Sequence, residues 1–364
     1  MKIITIIGAR PQFIKAAPFS EVFRKENQEV LIHTGQHYDT NMSDVFFEEL
    51  SIPRPDYNIG VGSGSHGQQT GRMLEKIEEI IISEKPDGVL VYGDTNSTLA
   101  GALAASKLHV PVFHVEAGLR SYNKLMPEEQ NRVLTDHISD LLLCPTQTAV
   151  DNLLKEGITS GVLNTGDIMY DAVLRNIEIA KKKYQDGRWT SELSTENPEF
   201  SIDSEKGFYL ATIHRAENTD DPQKLRCIFS VFERLDKPVI LPLHPRTRKL
   251  IEKYGIKPYN ILIVNPVGYL LMLYLTANAY MVVTDSGGLQ KEAYFLRTPC
   301  TTLRDQTEWI ETLDNKWNVL SNIDDDAIFN TINRDFDCLQ YPQPLLFGDG
   351  HAAQKICKSI IERK

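Results

Sequence analysis

Two carboxylates in the first half of the sequence are placed where a general acid and base could work. Asp94 follows the apolar run 88–93, and Glu116 follows the next run along the chain, 110–115. If these runs are neighbouring strands, the two carboxylates lie close together at one sheet edge. Neighbouring carboxylates push one another's pKa apart, which yields an acid and a base from one residue type.

Each candidate carboxylate also has a structural interpretation. Asp94 could cap the helix that is predicted to begin near Ser97. Glu116 stands among apolar neighbours, and a capping role suits it less well. A third acid, Glu128, follows Pro127 at a predicted helix start, where a glutamate is ordinary, so considered alone it is more readily structural.

A run in the second half, 284–288, has the composition of a phosphate-binding turn. It reads Thr-Asp-Ser-Gly-Gly after a predicted strand and opens a predicted helix. A helix N-terminus offers free N–H donors and a positive dipole, and Gly287 and Gly288 let the backbone approach a bulky anion. The alternative is that glycine serves backbone conformation alone. Glu292, one turn on, could bind ribose hydroxyls or simply favour the helix dipole.

The histidines do not form a metal-binding pattern. His33 and His37 have H-x-x-x-H spacing, but they straddle a strand end and a glycine turn and share no helical face. His214 and His244 are isolated at predicted strand ends, where a structural role is more common. Arginines beside them favour contact with an anion.

The elements that must position these residues are short apolar runs alternating with helical patterns. This alternation predicts βαβ units and parallel sheets, with strands covered on both faces. Ligands of such sheets bind beyond the carboxyl ends of the strands, where Arg10, Lys15 and Val267 also fall. The predicted strands are 3–8, 30–35, 88–93, 110–115, 141–145, 208–214, 239–244, 261–267, 280–284 and 300–303.

The length of 364 residues favours two domains, because single cores stop growing at about 250–300 residues. We expect an N-terminal Rossmann-like domain over 1–168 and a C-terminal one over 169–349, with a helix over 350–364 that could join the first. Residues 170–184 read as one long helix, and the polar stretch 185–206 reads as a linker or surface excursion. Polar strand ends in both halves predict a ligand held in a cleft between the domains.

Composition excludes several classes of protein. The net charge of -10 argues against non-specific nucleic-acid binding and against a basic membrane surface. No stretch approaches the ~18 apolar residues of a membrane span. The five cysteines are widely spaced without C-x-x-C, which is typical of reduced cytoplasmic thiols rather than of disulfides or zinc.

Together these segments resemble the non-hydrolysing UDP-N-acetylglucosamine 2-epimerase family over nearly the whole chain. Each motif is weak alone, but their order and strand contexts make chance agreement implausible. The motifs are Gly8-Ala9-Arg10-Pro11 with Lys15, Thr34-Gly35-Gln36-His37, Gly93-Asp94-Thr95, the run 114–120, Pro127-Glu128-Glu129 with Asn131-Arg132, His214-Arg215 with Glu217-Asn218, His244-Pro245, and the run 284–290 with Glu292.

The resemblance implies the GT-B fold, with two Rossmann-like domains and the active site in their cleft. It implies inversion of C2 of a UDP-sugar without NAD or metal, by elimination of UDP to a glycal and re-addition. It further implies a homodimer that serves surface polysaccharide synthesis, lipopolysaccharide included. By the same resemblance the catalytic residues are Asp94, Glu116, Glu128, His214 and Lys15, and the substrate-binding residues are Arg10, His244, Val267, Ser286, Gly287, Gly288 and Glu292.

The sequence departs from the family pattern in two places. The usual T-E-R-P-E is Thr307-Glu308-Trp309-Ile310-Glu311 here, so an arginine near the nucleotide or sugar is missing. The runs 8–13 and 243–248 look more like the branch acting on UDP-2,3-diacetamido-2,3-dideoxy-glucuronate, where extra arginines suit a uronate carboxylate. Both substrates remain open, as do a GT-B glycosyltransferase, a hydrolysing 2-epimerase and a non-catalytic nucleotide-sugar binder.

Some bacterial members of this family bind a second substrate molecule as an activator, through a run such as H-R-Q or H-R-E. Here His37 is followed by Tyr38-Asp39-Thr40. The aspartate would repel a diphosphate, and the tyrosine offers one uncharged hydroxyl, although Arg72 could still supply a cation. We therefore expect hyperbolic rather than sigmoidal kinetics.

Overall fold

The computed structural model describes residues 1–36, 44–193 and 207–363. The chain divides into two compact units, Met1–Ala172 with Leu345–Lys364, and Val173–Pro344. The sequence predicts domain ends at 168 and 349. In the structure the first division falls within the helix that begins at Ile168, and the second falls between Pro344 and Leu345.

A parallel sheet forms the centre of the first unit, with the strand order β3-β2-β1-β4-β5-β6-β7. Its middle strands are buried and apolar because helices cover both faces. The strands are β1 (Lys2–Ile7), β2 (Gln28–His33), β3 (Tyr57–Asn58), β4 (Gly88–Tyr92), β5 (Val112–Val115), β6 (Leu141–Cys144) and β7 (Val162–Asn164).

Helices connect these parallel strands, as βαβ units require. The last helix, α15, returns to this unit and packs against α1, with Ile356 and Ile360 buried. The helices are α1 (Arg10–Phe23), α2 (Asp44–Glu49), α3 (His66–Glu84), α4 (Asn96–Lys107), α5 (Pro127–Ile138), α6 (Gln147–Lys155) and, at the end of the chain, α15 (Ala352–Glu362).

The second unit repeats the plan, with the strand order β10-β9-β8-β11-β12-β13. Its core includes Leu225, Phe229 and Phe232 of α10, which pack on the sheet. The strands are β8 (Tyr209–Thr212), β9 (Val239–Pro242), β10 (Ile261–Val264), β11 (Met281–Thr284), β12 (Cys300–Thr302) and β13 (Asn318–Leu320). The helices are α7 (Ile168–Tyr184), which enters from the first unit, α8 (Trp189–Glu192), α9 (Ala216–Thr219), α10 (Pro222–Glu233), α11 (Pro245–Lys253), α12 (Tyr269–Asn278), α13 (Gly287–Phe295), a 3-10 helix (Ile310–Lys316) and α14 (Asp325–Ile332).

All ten predicted strands are present, and the long helix predicted over 170–184 is confirmed as α7. The sequence missed β3, β7 and β13, which have two or three residues each and no long apolar run. Part of the predicted linker is the short helix α8, whose buried Trp189 packs near Phe208 and Tyr274. Residues 194–206 of that stretch lie outside the described residues.

None of the helices in the described residues is both long enough and apolar enough to cross a membrane. Within the same residues, no group of three or more His, Cys, Asp or Glu side chains is arranged to hold a metal ion.

Candidate active site

The strand orders identify where each unit can bind a ligand. In both sheets the order reverses beside the first strand, between β1 and β4 in one unit and between β8 and β11 in the other. In open parallel sheets a crevice forms at this reversal, outside the carboxyl ends of the two strands. In the first unit Arg10 and Asp94 follow these strands, and in the second unit His214 and Ser286 do so.

Lys15 and Glu116 form a buried ion pair in the first unit. Lys15 Nζ lies 2.5 Å from Glu116 Oε2, although 101 residues separate them in sequence. Burial acts to lower the pKa of Lys15, but the carboxylate of Glu116 outweighs it and raises the pKa above its ordinary value, with smaller contributions from Asp167 and Asp94. Lys15 is therefore an ammonium, and the three predicted residues share one cluster.

Asp94 does not cap the helix that follows it, so that structural interpretation is wrong. The N-cap of α4 is Thr95, whose hydroxyl accepts from Thr98 N. The Asp94 carboxylate instead accepts a hydrogen bond from Arg132 Nη2 on α5. Asn131 of the same helix donates to the Asp94 carbonyl at 2.9 Å, so α5 holds both the backbone and the side chain of Asp94.

Glu128 and Arg10 lie at helix starts in the first unit. Glu128 is exposed in the first turn of α5, three and four residues before Asn131 and Arg132, and so on their face of the helix. No ion pair joins it to another of the described residues. Arg10 is half-buried as the first residue of α1, directly beyond the carboxyl end of β1.

In the second unit a buried carboxylate, Asp285, orients His214. Its oxygens accept from the backbone N–H groups of His214 and Arg215 and from His214 Nδ1, the last at 3.0 Å. Burial raises the pKa of Asp285, but the hydrogen bond and charge of His214 outweigh it and lower the pKa below its ordinary value. The half-exposed imidazole is therefore held with its Nδ1 toward Asp285, which leaves Nε2 for a ligand.

The predicted phosphate-binding turn opens α13. Ser286 is the N-cap and accepts from Leu289 N at 3.3 Å, while Gly287 and Gly288 are the first helical residues. Neither glycine has a positive φ, so glycine is not needed here for backbone conformation. A Cβ on Gly287 would meet Glu308 Oε1 at 2.3 Å, whereas one on Gly288 would meet nothing nearer than Ser286 Oγ at 3.9 Å. The backbone at Gly288 is thus open to a ligand.

The other predicted contacts of the second unit lie on α13 or follow the strands β9 and β10 of the same sheet. Glu292 lies four residues after Gly288, on the same face of α13. His244 is the N-cap of α11 and accepts from Arg246 N through Nδ1, so the structure adds a capping role to the predicted one. Val267 is half-buried just before the N-cap of α12.

Trp309, which stands where the family usually has arginine, packs beside the phosphate-binding turn. Lys291 of α13 places its ammonium 3.7 Å from the centre of the Trp309 ring, and the lysine is buried. Arg304 donates to Glu308 at 3.0 Å, one residue before Trp309. Positive charge therefore remains in this region although the arginine is absent.

Sequence reasoning missed the partners of the predicted residues. Arg132 and Asp285 were each inside a quoted motif, but their spacing gave no reason to assign them to Asp94 or His214. The run Tyr38-Asp39-Thr40, on which the expectation of hyperbolic kinetics rests, lies outside the described residues.

A Gly288→Ala variant is expected to fold normally and to bind UDP about ten- to a hundredfold more weakly, because an added methyl group would obstruct an anion at the turn. Gly71→Ala on α3 is the matched control, since a Cβ there meets nothing within 4 Å. Isothermal calorimetry with UDP measures both. Equal affinity of Gly288→Ala and wild type for UDP would show that the phosphate does not bind at this turn.

Comparison with known proteins agrees with the fold. The chain matches the profile of UDP-N-acetylglucosamine 2-epimerase over residues 21–361. It is 53% identical over 365 residues to a UDP-N-acetylglucosamine 2-epimerase homolog from Methanococcus maripaludis, covering 99% of each chain. It is 49% identical over 370 residues to the UDP-2,3-diacetamido-2,3-dideoxy-D-glucuronate 2-epimerase of Pseudomonas aeruginosa, covering 100% of each. A crystal structure of Methanocaldococcus jannaschii UDP-GlcNAc 2-epimerase with UDP-GlcNAc and UDP superposes with a TM-score of 0.85, at 41% identity and with all of both chains covered.

Two parallel-sheet α/β units of this kind define a GT-B-like protein, which confirms the predicted fold class. Within that class, the chain belongs to the UDP-N-acetylglucosamine 2-epimerase family. The roles of the individual site residues stay predictions.

Proposed function

We propose that the chain is a UDP-sugar 2-epimerase, which inverts C2 of a UDP-2-acetamido sugar by eliminating and re-adding UDP. The observation that carries the proposal is the cluster of Lys15, Glu116 and Asp94 with Arg132, in a chain of this family. The M. jannaschii relative crystallised with UDP-GlcNAc and UDP supports the class of substrate.

The reaction begins when an ionised carboxylate removes the C2 proton. The C2–H electron pair forms the C1–C2 double bond of a glycal, and the C1–O bond breaks with its electrons leaving on UDP. In the return step a proton is delivered to the opposite face of C2, and the UDP oxygen attacks C1. These reaction steps need no external oxidant and no metal.

The contacts within the first unit suggest how these roles divide. The base must be an ionised carboxylate, and the candidates are Glu116 beside Lys15 and Asp94 beside Arg132. Glu128 has no ion pair within the described residues and is available to deliver the proton. A general acid and base placed in this way supply about 10²–10⁴-fold each.

The leaving UDP carries the charge that the site must stabilise. Helix α13 offers the N–H groups of its first turn at Gly287 and Gly288, and His214 presents its Nε2. We propose that these groups bind the diphosphate and that Glu292 binds the ribose. Arg10 and Lys15 supply further positive charge to the same substrate.

A second candidate substrate is the UDP-2,3-diacetamido-2,3-dideoxy-glucuronate of the P. aeruginosa relative. Two observations favour it: the 49% identity to that enzyme, and Trp309 in place of an arginine. The family resemblance further suggests a cytoplasmic homodimer that supplies surface polysaccharide synthesis, lipopolysaccharide included.

The test is incubation of the purified protein with each UDP-sugar, followed by NMR of the products. The proposal predicts the C2 epimer of one of them, still attached to UDP, and the substrate with the higher kcat/KM identifies the branch. Free sugar with stoichiometric UDP would show the hydrolysing reaction instead. No change in either sugar, with UDP bound, would favour a transferase or a non-catalytic binder.

A further inference from the structure

His114 of β5 is fully buried and has a hydrogen-bond acceptor on each side of its ring. Nδ1 donates to Asp136 Oδ1 at 2.7 Å, and Nε2 donates to the Gly93 carbonyl at 2.8 Å. A carbonyl oxygen can only accept, and an ionised carboxylate can only accept. A ring that donates from both nitrogens carries both protons and a positive charge.

Asp136 of α5 is the centre of a balanced group of charges. Besides His114, it accepts from Gly118 N at 3.1 Å and from Arg120 Nη1 at 2.7 Å. Arg120 also donates two hydrogen bonds, both of 2.7 Å, to the carboxylate of Glu156, the C-cap residue of α6. Two cations thus face two carboxylates, which is the pairing that a buried charged group requires.

The charge states of the neighbours agree with this balance. Burial raises the pKa of Asp136, but His114 and Arg120 outweigh it and hold the pKa below its ordinary value. Cys144 on the adjacent strand β6 is neutral, because burial and the charge of Asp136 raise the pKa of its thiol. The carboxylate of Asp136 is therefore ionised, and it can only accept the hydrogen bond that joins it to His114 Nδ1.

This group holds the two backbone turns that carry the candidate carboxylates. The Gly93 carbonyl, which binds His114, directly precedes Asp94. Gly118, whose N–H binds Asp136, lies two residues after Glu116. Glu116 itself has a φ of 67°, a left-handed conformation that an L-residue adopts only when its surroundings enforce it.

We propose that His114 is a positioning residue for this reaction: as an imidazolium it joins the Gly93-Asp94 turn to Asp136, and Asp136 holds the turn after Glu116. The charged ring thereby fixes the separation of the two carboxylates without touching the substrate. The proposal rests on the proposed function for its effect on rate, but the state of the ring can be measured without any activity.

The first test is NMR of the wild-type protein labelled with ¹⁵N-histidine. We expect the His114 ring to show two protonated nitrogens at neutral pH, because each ring nitrogen faces a hydrogen-bond acceptor. The resonance is assigned by through-bond correlation to the backbone. A spectrum with one protonated nitrogen at neutral pH would overturn the proposal, whatever the enzyme does.

The second test uses two variants, each of which keeps one of the two hydrogen bonds that the ring makes. The amide of His114→Asn replaces Nδ1, and the amide of His114→Gln replaces Nε2. The matched control is His137→Gln on α5, an exposed histidine bonded to the Val133 carbonyl. Misplacement of a catalytic group by about 1 Å can cost about a hundredfold. We expect kcat to fall about ten- to a hundredfold in both His114 variants, with the UDP dissociation constant and KM changed less than about twofold.

The outcomes of the second test are distinct from failure of the proposed function. If the wild type epimerises no UDP-sugar, the function is wrong and the NMR result still decides the state of His114. If His114→Gln is folded by circular dichroism and keeps wild-type kcat, the positioning role is wrong. A purely structural role would lower the melting temperature and leave kcat per folded molecule unchanged.

Discussion

A Glu116→Gln variant is expected to fold normally and to lose about 10²–10⁴-fold in kcat, the usual worth of one general acid or base. The amide keeps the shape of the side chain and removes both its charge and its basicity. Glu116 is buried, and its Oε2 lies 2.5 Å from Lys15 Nζ. The variant therefore also leaves the Lys15 ammonium without the counter-charge of Glu116.

The matched control for Glu116→Gln is Glu75→Gln, an exposed glutamate on α3, which should retain wild-type turnover. Steady-state epimerisation and calorimetry with UDP give kcat and nucleotide affinity separately. Asp94→Asn and Glu128→Gln are expected to fall in the same range. If one of the three variants turns over within about threefold of wild type, the residue it replaces is neither the acid nor the base. Loss of either group lowers the rate by about 10²-fold or more.

An Asp136→Ala variant is expected to lower the free energy of unfolding by about 3–5 kcal/mol, the cost of breaking a buried pair by removing one partner. It leaves two buried hydrogen-bond donors that carry positive charge, His114 and Arg120, facing an apolar methyl group. It also removes the acceptor of Gly118 N. Urea unfolding measured against the wild type gives the difference.

The effect of Asp136→Ala should depend on pH in a definite direction. The pKa of Asp136 is lowered from the ordinary 3.8, so its charge stabilises the native state above that value. This contribution is lost as the pH falls through the lower, folded-state value. The gap between wild type and variant should therefore narrow in acid. Asp151→Ala, at an exposed position of α6, is the control and should cost less than about 0.5 kcal/mol. A loss below about 1 kcal/mol in Asp136→Ala would mean that the buried charges are not held as described.

Much of the fold was predictable because apolar runs mark buried parallel strands. The same pattern placed Asp94, Glu116, His214 and Ser286 at strand ends, since ligand sites of such sheets occur there. The short edge strands were not predictable, because two or three residues carry no pattern that distinguishes them from a loop. Trp189 was likewise missed, since one buried aromatic can anchor a segment that is otherwise polar.

The partners within the site could not be predicted because they depend on folding across long sequence separations. Lys15 and Glu116 are 101 residues apart, and Asp94 and Arg132 are 38 apart. Sequence alone could not decide whether Asp94 caps the helix that follows it, since aspartate is a good N-cap residue. The geometry decides it, because the guanidinium of Arg132 holds the Asp94 side chain away from the helix start.

At the glycines of the phosphate-binding turn, the structure distinguishes between two explanations that the sequence offered. From the sequence, close approach of a phosphate was the favoured reason for two glycines, and backbone conformation was the alternative. The backbone of Gly287 and Gly288 is not left-handed, so conformation is excluded as the reason. A Cβ on the first glycine would displace the carboxylate of Glu308, and the space above the second glycine is open to a ligand.

The most direct test of the account is epimerisation in D₂O, read by NMR at C2 of the sugar. Removal of the C2 proton by a carboxylate and its replacement from the opposite face predict that the product carries deuterium at C2. They also predict that traces of UDP and glycal accumulate at equilibrium. Glu116→Gln should slow incorporation and epimerisation together. A product that keeps the original C2 proton completely would contradict the elimination mechanism and the roles proposed for all three carboxylates.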